Sequence, residues 1–383
     1  MTYKAFQDWY HEAVIKHLIV YEYQGKLISP PFATEKCKDY SKIMVWDHGL
    51  VSYIDLNLPP VTSKTNTVLE ASGSLWLIPY GIYDEFNTVV ELQGSTPVYH
   101  KLNKTGKGQF YSAATNGNDI FSFPLGYEET SYGIYIENGV VKTIDFDRHS
   151  HVKLHMGCVY ANGKFWSMPR GDTPGYVNIV SFDGSNLEYY PMTEIDASVT
   201  RKYTDIIVKD NVLYVLPYGE TAGLNEVIEF NTDTKQITYY PIQGPDFSKK
   251  YNVAVLVGDK IIGVPYGDEY CQDSNWGIVF DTVTKEIKLF DIKIYFGGKY
   301  RYRCGTAYKD HAVFFPTGTP NCPILKVSQQ GEIVAQLILT DTMVGRPIVF
   351  NDKIVVMSYN TITHVQQLLS FDENLNYQVE ATL

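Results

Sequence analysis

The stretch "LYVLPYG" at residues 213–219 runs an apolar segment into a Pro-Tyr-Gly stop. Close copies stand at 75–81 ("LWLIPYG") and 261–267 ("IIGVPYG"). Proline cannot donate to a strand ladder, and glycine permits the turn that follows, so each copy reads as a strand end. The proline also serves as a ruler. Matching positions are Pro30, Pro79, Pro124, Pro169, Pro217, Pro265 and Pro316, with Ser358 in the corresponding place of "VVMSYN". Steps of 42–51 residues separate them, and the eight units account for nearly all of the 383 residues.

Each unit has one grammar, seen most clearly over 203–242. "YTDIIVKD" is an apolar run ending in a turn pair, and "VLYVLPYG" is a second run just past it. "NEVIEFNT" is a third, and "QITYYPI" closes the unit after the turn-like "TDTK". That spells four strands joined by hairpin-length loops. The first hairpin recurs as "SGS" (72–74), "NGN" (116–118), "NGK" (162–164), "KDN" (209–211), "GDK" (258–260), "KDH" (309–311) and "NDK" (351–353). Such residues suit turns that need positive φ.

A repeated four-stranded antiparallel unit of this length resembles the β-propeller architecture. The resemblance covers residues 17–383 and extends to the class only. Neither the Gly-His…Trp-Asp signature of WD40 blades nor the paired glycines of Kelch blades is present. The expectation is an all-β, eight-bladed propeller, with seven blades as the alternative if one unit is wrongly drawn at either end. The first unit starts with its innermost strand and the last ends with its outermost, so side-chain packing between them is expected to close the ring. Residues 1–16 are set apart as a helical cap, since Phe6, Trp9, Tyr10 and Ala13 share one helical face.

Composition narrows the function classes. The chain is 44% hydrophobic and 20% charged, with 31 tyrosines and a net charge of -11. An acidic surface argues against broad nucleic-acid or anionic-membrane binding, while leaving room for a local basic site. No apolar run is long enough to cross a membrane, and the charged start of the chain does not read as a signal peptide. The expected setting is therefore intracellular and soluble. Five scattered cysteines without metal-ligand spacing read as reduced thiols, and no cofactor is expected.

Two candidate sites emerge. In propellers, the loop after the second strand and the loop into the next blade open on one face, the usual binding surface. The Pro-Tyr-Gly ends and the acidic loops after them should lie there, which brings in Tyr218, Tyr266 and, at the same position, Arg170. Fourteen residues before each anchor stand Phe110, His155, Tyr203, Tyr251 and Tyr302. Fifteen before it stand Lys64, Lys202, Lys250 and Arg301. Further cations, Arg303 and Arg346 among them, lie close by. A basic, aromatic-lined ring of this kind suits an anionic ligand: a phosphate, an acidic sugar or an acidic peptide. The second candidate is "DRHSHVKLH", where His149, His151 and His155 could serve acid/base or metal chemistry.

The sequence favours a non-catalytic binding or scaffold module recognising a protein or an anionic or glycan ligand. The rivals are a propeller-face lyase or glycan-cleaving enzyme using the histidines, and a structural component of a larger assembly such as a virion. The sequence does not set the oligomeric state.

Overall fold

The computed structural model describes residues 13–81, 86–104, 110–125, 132–146, 154–172, 174–219, 223–246, 248–266, 275–292, 302–317 and 321–383. It is an eight-bladed β-propeller. Eight separate antiparallel sheets follow one another along the chain, each with strands in simple sequential order. First strands touch between blades 2 and 3, 3 and 4, 5 and 6, 6 and 7, and 7 and 8, which places the first strands around the axis. They are Tyr21–Tyr23, Thr65–Ala71, Ala114–Thr115, Val159–Ala161, Ile207–Lys209, Tyr251–Val257 and Tyr302–Tyr308, then Thr342–Val344 with Ile348–Phe350 for blade 8.

The first hairpins turn as their residues predict. Consecutive positive φ angles occur at Ser72–Gly73, Asn162–Gly163, Asp210–Asn211 and Asn351–Asp352. This two-residue geometry matches the right-handed twist of the flanking strands. Second and third strands are buried on both faces, as in Ser74–Pro79 and Pro323–Ser328, and so read as continuous apolar runs. Outermost strands such as Leu50–Asp55 alternate weakly and face solvent.

The core is divided into inter-blade layers. One apolar cluster lies between each pair of neighbouring blades, including blades 8 and 1. Trp166 and Phe230 typify them, with ring centroids 5.3 Å apart across blades 4 and 5. Each large side chain so buried contributes roughly 1.5–3 kcal/mol.

The seam between blades 8 and 1 follows the same plan. Among the described residues no strand is shared between them. Val20, Leu27 and Met44 of blade 1 pack on Phe350, Val355, Met357 and Leu368 of blade 8. Gln366 clasps the joint: its Oε1 accepts from the backbone N–H groups of Lys16 (2.7 Å) and His17 (3.3 Å), and its Nε2 donates to the His17 carbonyl (2.6 Å). A single parallel bridge joins Ile19 to Arg346.

Two expectations need correcting. Within the expected helix, residues 13–16 are not helical; residues 1–12 lie outside the described residues. Ala13 and Ile15 instead pack against blade 1, where Thr34 Oγ1 accepts from Ile15 N (3.0 Å) and donates to the Ala13 carbonyl (2.5 Å). The ruler also slips by one residue in the first unit. Pro31, not Pro30, is the equivalent of Pro217, because Phe32 and Ala33 make the contacts that Tyr218 and Gly219 make elsewhere. A second adjacent proline and an alanine in the glycine position concealed this.

Candidate binding site at the axis of the ring

The Pro-Tyr-Gly motif is a coupling between blades. The glycine position is left-handed, with φ +57° at Gly171, +60° at Gly219 and +58° at Ala33. This turns two successive carbonyls toward the next blade. Arg170 and Gly171 accept from the N–H groups of Lys202 (2.8 Å) and Arg201 (2.7 Å). Tyr218 and Gly219 accept from Lys250 (2.8 Å) and Lys249 (2.6 Å), and Phe32 and Ala33 from Lys64 and Ser63 (both 2.9 Å). The donor segments are left-handed too, at Ser63, Arg201 and Lys249.

The cationic column belongs to this joint. Lys64, Lys202 and Lys250 are 0%, 0% and 1% exposed. The Lys64 ammonium donates to the carbonyls of Lys38 (2.5 Å) and Val61 (2.6 Å), and that of Lys250 to Asp246 (2.6 Å). Among the described residues Lys202 Nζ has no hydrogen-bond partner, and burial lowers its pKa to about 8. These lysines thus lie beneath the inter-blade loops, not on an open face. Lys16 is the missed member of the column: its carbonyl accepts from Phe32 N (2.8 Å) as that of Lys202 does from Tyr218 N (2.9 Å). Counting from Pro31 would have found it. Arg301 lies outside the described residues.

The neighbouring aromatic column fills the inter-blade cores. Tyr203, Tyr251, Tyr302 and Phe110 are each buried in a different cluster. Tyr251 and Tyr302 donate to the carbonyls of Trp276 (3.2 Å) and Pro323 (2.9 Å). His155 takes the same place in blade 4, hydrogen-bonded to the Tyr176 hydroxyl (2.9 Å) among Phe123 and Phe146. Burial pulls its pKa down to about 3, so it is a neutral packing residue near pH 7. His17 is its counterpart in blade 1. Its Nδ1 donates to the Pro30 carbonyl (3.2 Å), and its Nε2 accepts from Tyr40 (2.8 Å). His149 and His151 lie outside the described residues. Among the described residues, no group of three or more His, Cys, Asp or Glu side chains is placed to hold a metal.

What faces the axis comes from one or two residues further along. In blades 2, 6, 7 and 8 the first strand carries one extra residue against its partner. The register slips between Thr65 and Thr67, Tyr251 and Ala254, Tyr302 and Cys304, and Val344 and Ile348. A bulge of this kind re-aims a side chain out of the ladder. In blade 7 the extra residue is Arg303; in blade 8 the interrupted stretch holds Arg346. Both are exposed to solvent. The Tyr266 hydroxyl accepts from Arg303 Nε (2.9 Å) and Nη2 (2.5 Å), and the guanidinium carbon lies 5.3 Å from the Tyr266 ring centroid. Tyr218 packs on Tyr266 with centroids 5.7 Å apart. Both tyrosines are buried and act as walls rather than open platforms. Arg346 lies beside Tyr21 and near Asp205.

The ring is lopsided at this end. On blades 8, 1, 2 and 3 the tyrosine position is apolar: Tyr359, Phe32, Tyr80 and Leu125 cluster with Ala13 and Ile15. On blades 4 to 6 it holds Arg170, Tyr218 and Tyr266. Arg170 Nε lies 3.4 Å from Asp172 Oδ1, which also meets Arg201 Nε at 3.3 Å.

Comparison with known proteins agrees on the fold and stops there. No protein-family model matches the chain, and no curated protein matches it in sequence. Among solved structures, BamB from Moraxella catarrhalis superposes with a TM-score of 0.57 at 11% identity, covering 96% of this chain and 94% of that one. Apo AztD from Citrobacter koseri gives 0.55 at 11%, covering 96% and 93%. The dihydro-heme d1 dehydrogenase NirN in complex with DHE gives 0.58 at 10%, covering 97% and 74%. At these identities the likeness is one of architecture.

Proposed function

We propose that the protein is a non-catalytic binding module. It receives a ligand, or a projecting group of a protein partner, at the end of the axis that carries the Pro-Tyr-Gly loops. The observation behind this reading is the pair Arg303 and Arg346, solvent-exposed cations at the axis of a molecule with net charge -11. Around them the lysine and aromatic columns are spent on joining blades, which makes a rigid frame for whatever binds. The enzyme reading draws no support from His155, which is buried and bound to Tyr176.

Hydrogen exchange tests the location. The intact protein is screened for thermal shifts against peptides, sugars, phosphates and carboxylates, and each hit is followed by exchange. Binding should slow exchange in 302–308 and 342–350. Hits that protect only outer strands such as Leu50–Asp55 would overturn the reading.

A further inference from the structure

We propose that Arg303 and Arg346 together form one site for a small oxyanion, a phosphate or a carboxylate group, at the axis of the ring. This deepens the binding-module reading and rests on it. The two residues come from neighbouring blades by the same device, the one-residue irregularity of the first strand. In both places the side chain so released is exposed to solvent. The Cys304 thiol donates to the Gly345 carbonyl (3.3 Å), which brings the residues beside Arg303 and Arg346 together, and both guanidiniums act on that thiol, so the two charges share one region.

The charge balance around Arg346 points the same way. Among the described residues, no carboxylate lies within 4 Å of its guanidinium. Asp205 is the acid that faces it, and both Asp205 oxygens are committed to backbone. Oδ1 accepts from Ile206 N (3.0 Å) and Oδ2 from Ala254 N (3.1 Å). The ion pairs Arg170–Asp172 and Arg201–Asp172, by contrast, lie on the loops of blade 4.

Guanidinium chemistry selects the ligand class. A planar fork of N–H donors matches the paired oxygens of a carboxylate or phosphate, and it stays charged at any working pH. Tyr266 fixes the plane of the Arg303 fork in advance, which lowers the ordering cost of binding. A neutral sugar would gain nothing from two cations. A long polyanion would meet the field of the acidic molecule on its way in.

Calorimetric titration of the intact protein with inorganic phosphate and with succinate, at low ionic strength, tests this. One-to-one saturable binding of either probe, with Kd below about 1 mM, is expected. Arg346→Gln and Arg303→Gln should each weaken it at least tenfold. Tyr266→Phe should weaken it about threefold at unchanged stoichiometry. Lys142→Gln, on an outer strand of blade 3, should leave it unchanged. Saturation by phosphate alone assigns the site to phosphate groups, and by succinate alone to carboxylates. Arg303→Lys, which keeps the charge and loses the fork, should bind more weakly than the native protein if Arg303→Gln misfolds. The inference is overturned if neither probe saturates, or if Lys142→Gln weakens binding as much as Arg346→Gln. A neutral screening hit that still protects 302–308 would then leave the binding-module reading standing. Protection away from the axis would remove both.

Discussion

At the residue scale, two buried histidines make stability depend on acid. Burial depresses the pKa of His17 to about 4 and that of His155 to about 3, against 6.5 in the unfolded chain. Below pH 6.5 the unfolded chain therefore binds protons that the folded one refuses. The contribution is intact above pH 6.5 and drains away as pH falls toward 4 and then 3. The shifts correspond to something on the order of 3–5 kcal/mol each. His155→Tyr installs the residue that three other blades carry at this position. It should flatten the acid limb in urea melts at pH 4.5 relative to pH 7. An unchanged limb would show that His155 is not what titrates. The sequence displayed this column but not its burial. Tyrosine, histidine and phenylalanine share a position because each fills an inter-blade gap, and a pattern of rings looks the same whether it lines a core or a mouth. The lysines misled for a related reason: a long stem lets an ammonium fold under a loop and bond to carbonyls.

At the element scale, the first strand of blade 8 decides how the ring closes. A Cβ on Gly345 would stand 1.7 Å from the Leu18 carbonyl oxygen, so backbone meets backbone there and only glycine fits. Gly345→Ala should cost about 3 kcal/mol or more, because neither side of that contact can move alone. Gln366→Ala should cost less, roughly 1–3 kcal/mol, for the clasp it removes. Urea midpoints of the two variants give the order, and native-like midpoints in both would place the closure elsewhere. The four-stranded units and their hairpins were legible because turn chemistry and apolar runs repeat with the unit. The bulges were not, since one extra residue leaves no mark on a first strand whose buried and exposed positions already alternate irregularly, as in Tyr302–Tyr308. Arg303 and Arg346 could therefore be listed as cations but not separated from Lys202 or Lys250, whose side chains point elsewhere.

At the scale of the whole molecule, blade number was legible and its alternative is settled by the count of sheets. The ruler worked because proline and glycine are required wherever one blade hands its carbonyls to the next. Its single slip, at Pro30, cost one member of each column, Lys16 and His17, and nothing of the architecture. The seam carries a further consequence. Blades 8 and 1 meet through the same kind of apolar layer as any other pair, and Leu383 N donates to the carbonyl of Gln366 (2.9 Å), the residue whose side chain holds His17. A circle built this way has no privileged starting blade. A circular permutant that joins position 383 to position 13 by a flexible linker, with new ends in the loop between Pro191 and Ile207, should fold to the same eight-bladed ring. Its far-UV spectrum and its cooperative melt would match those of the parent, and a loss of cooperativity would mean that synthesis must begin at blade 1. If it folds, chain order in this molecule is a matter of manufacture, and the ring itself can be cut wherever an experiment needs a handle.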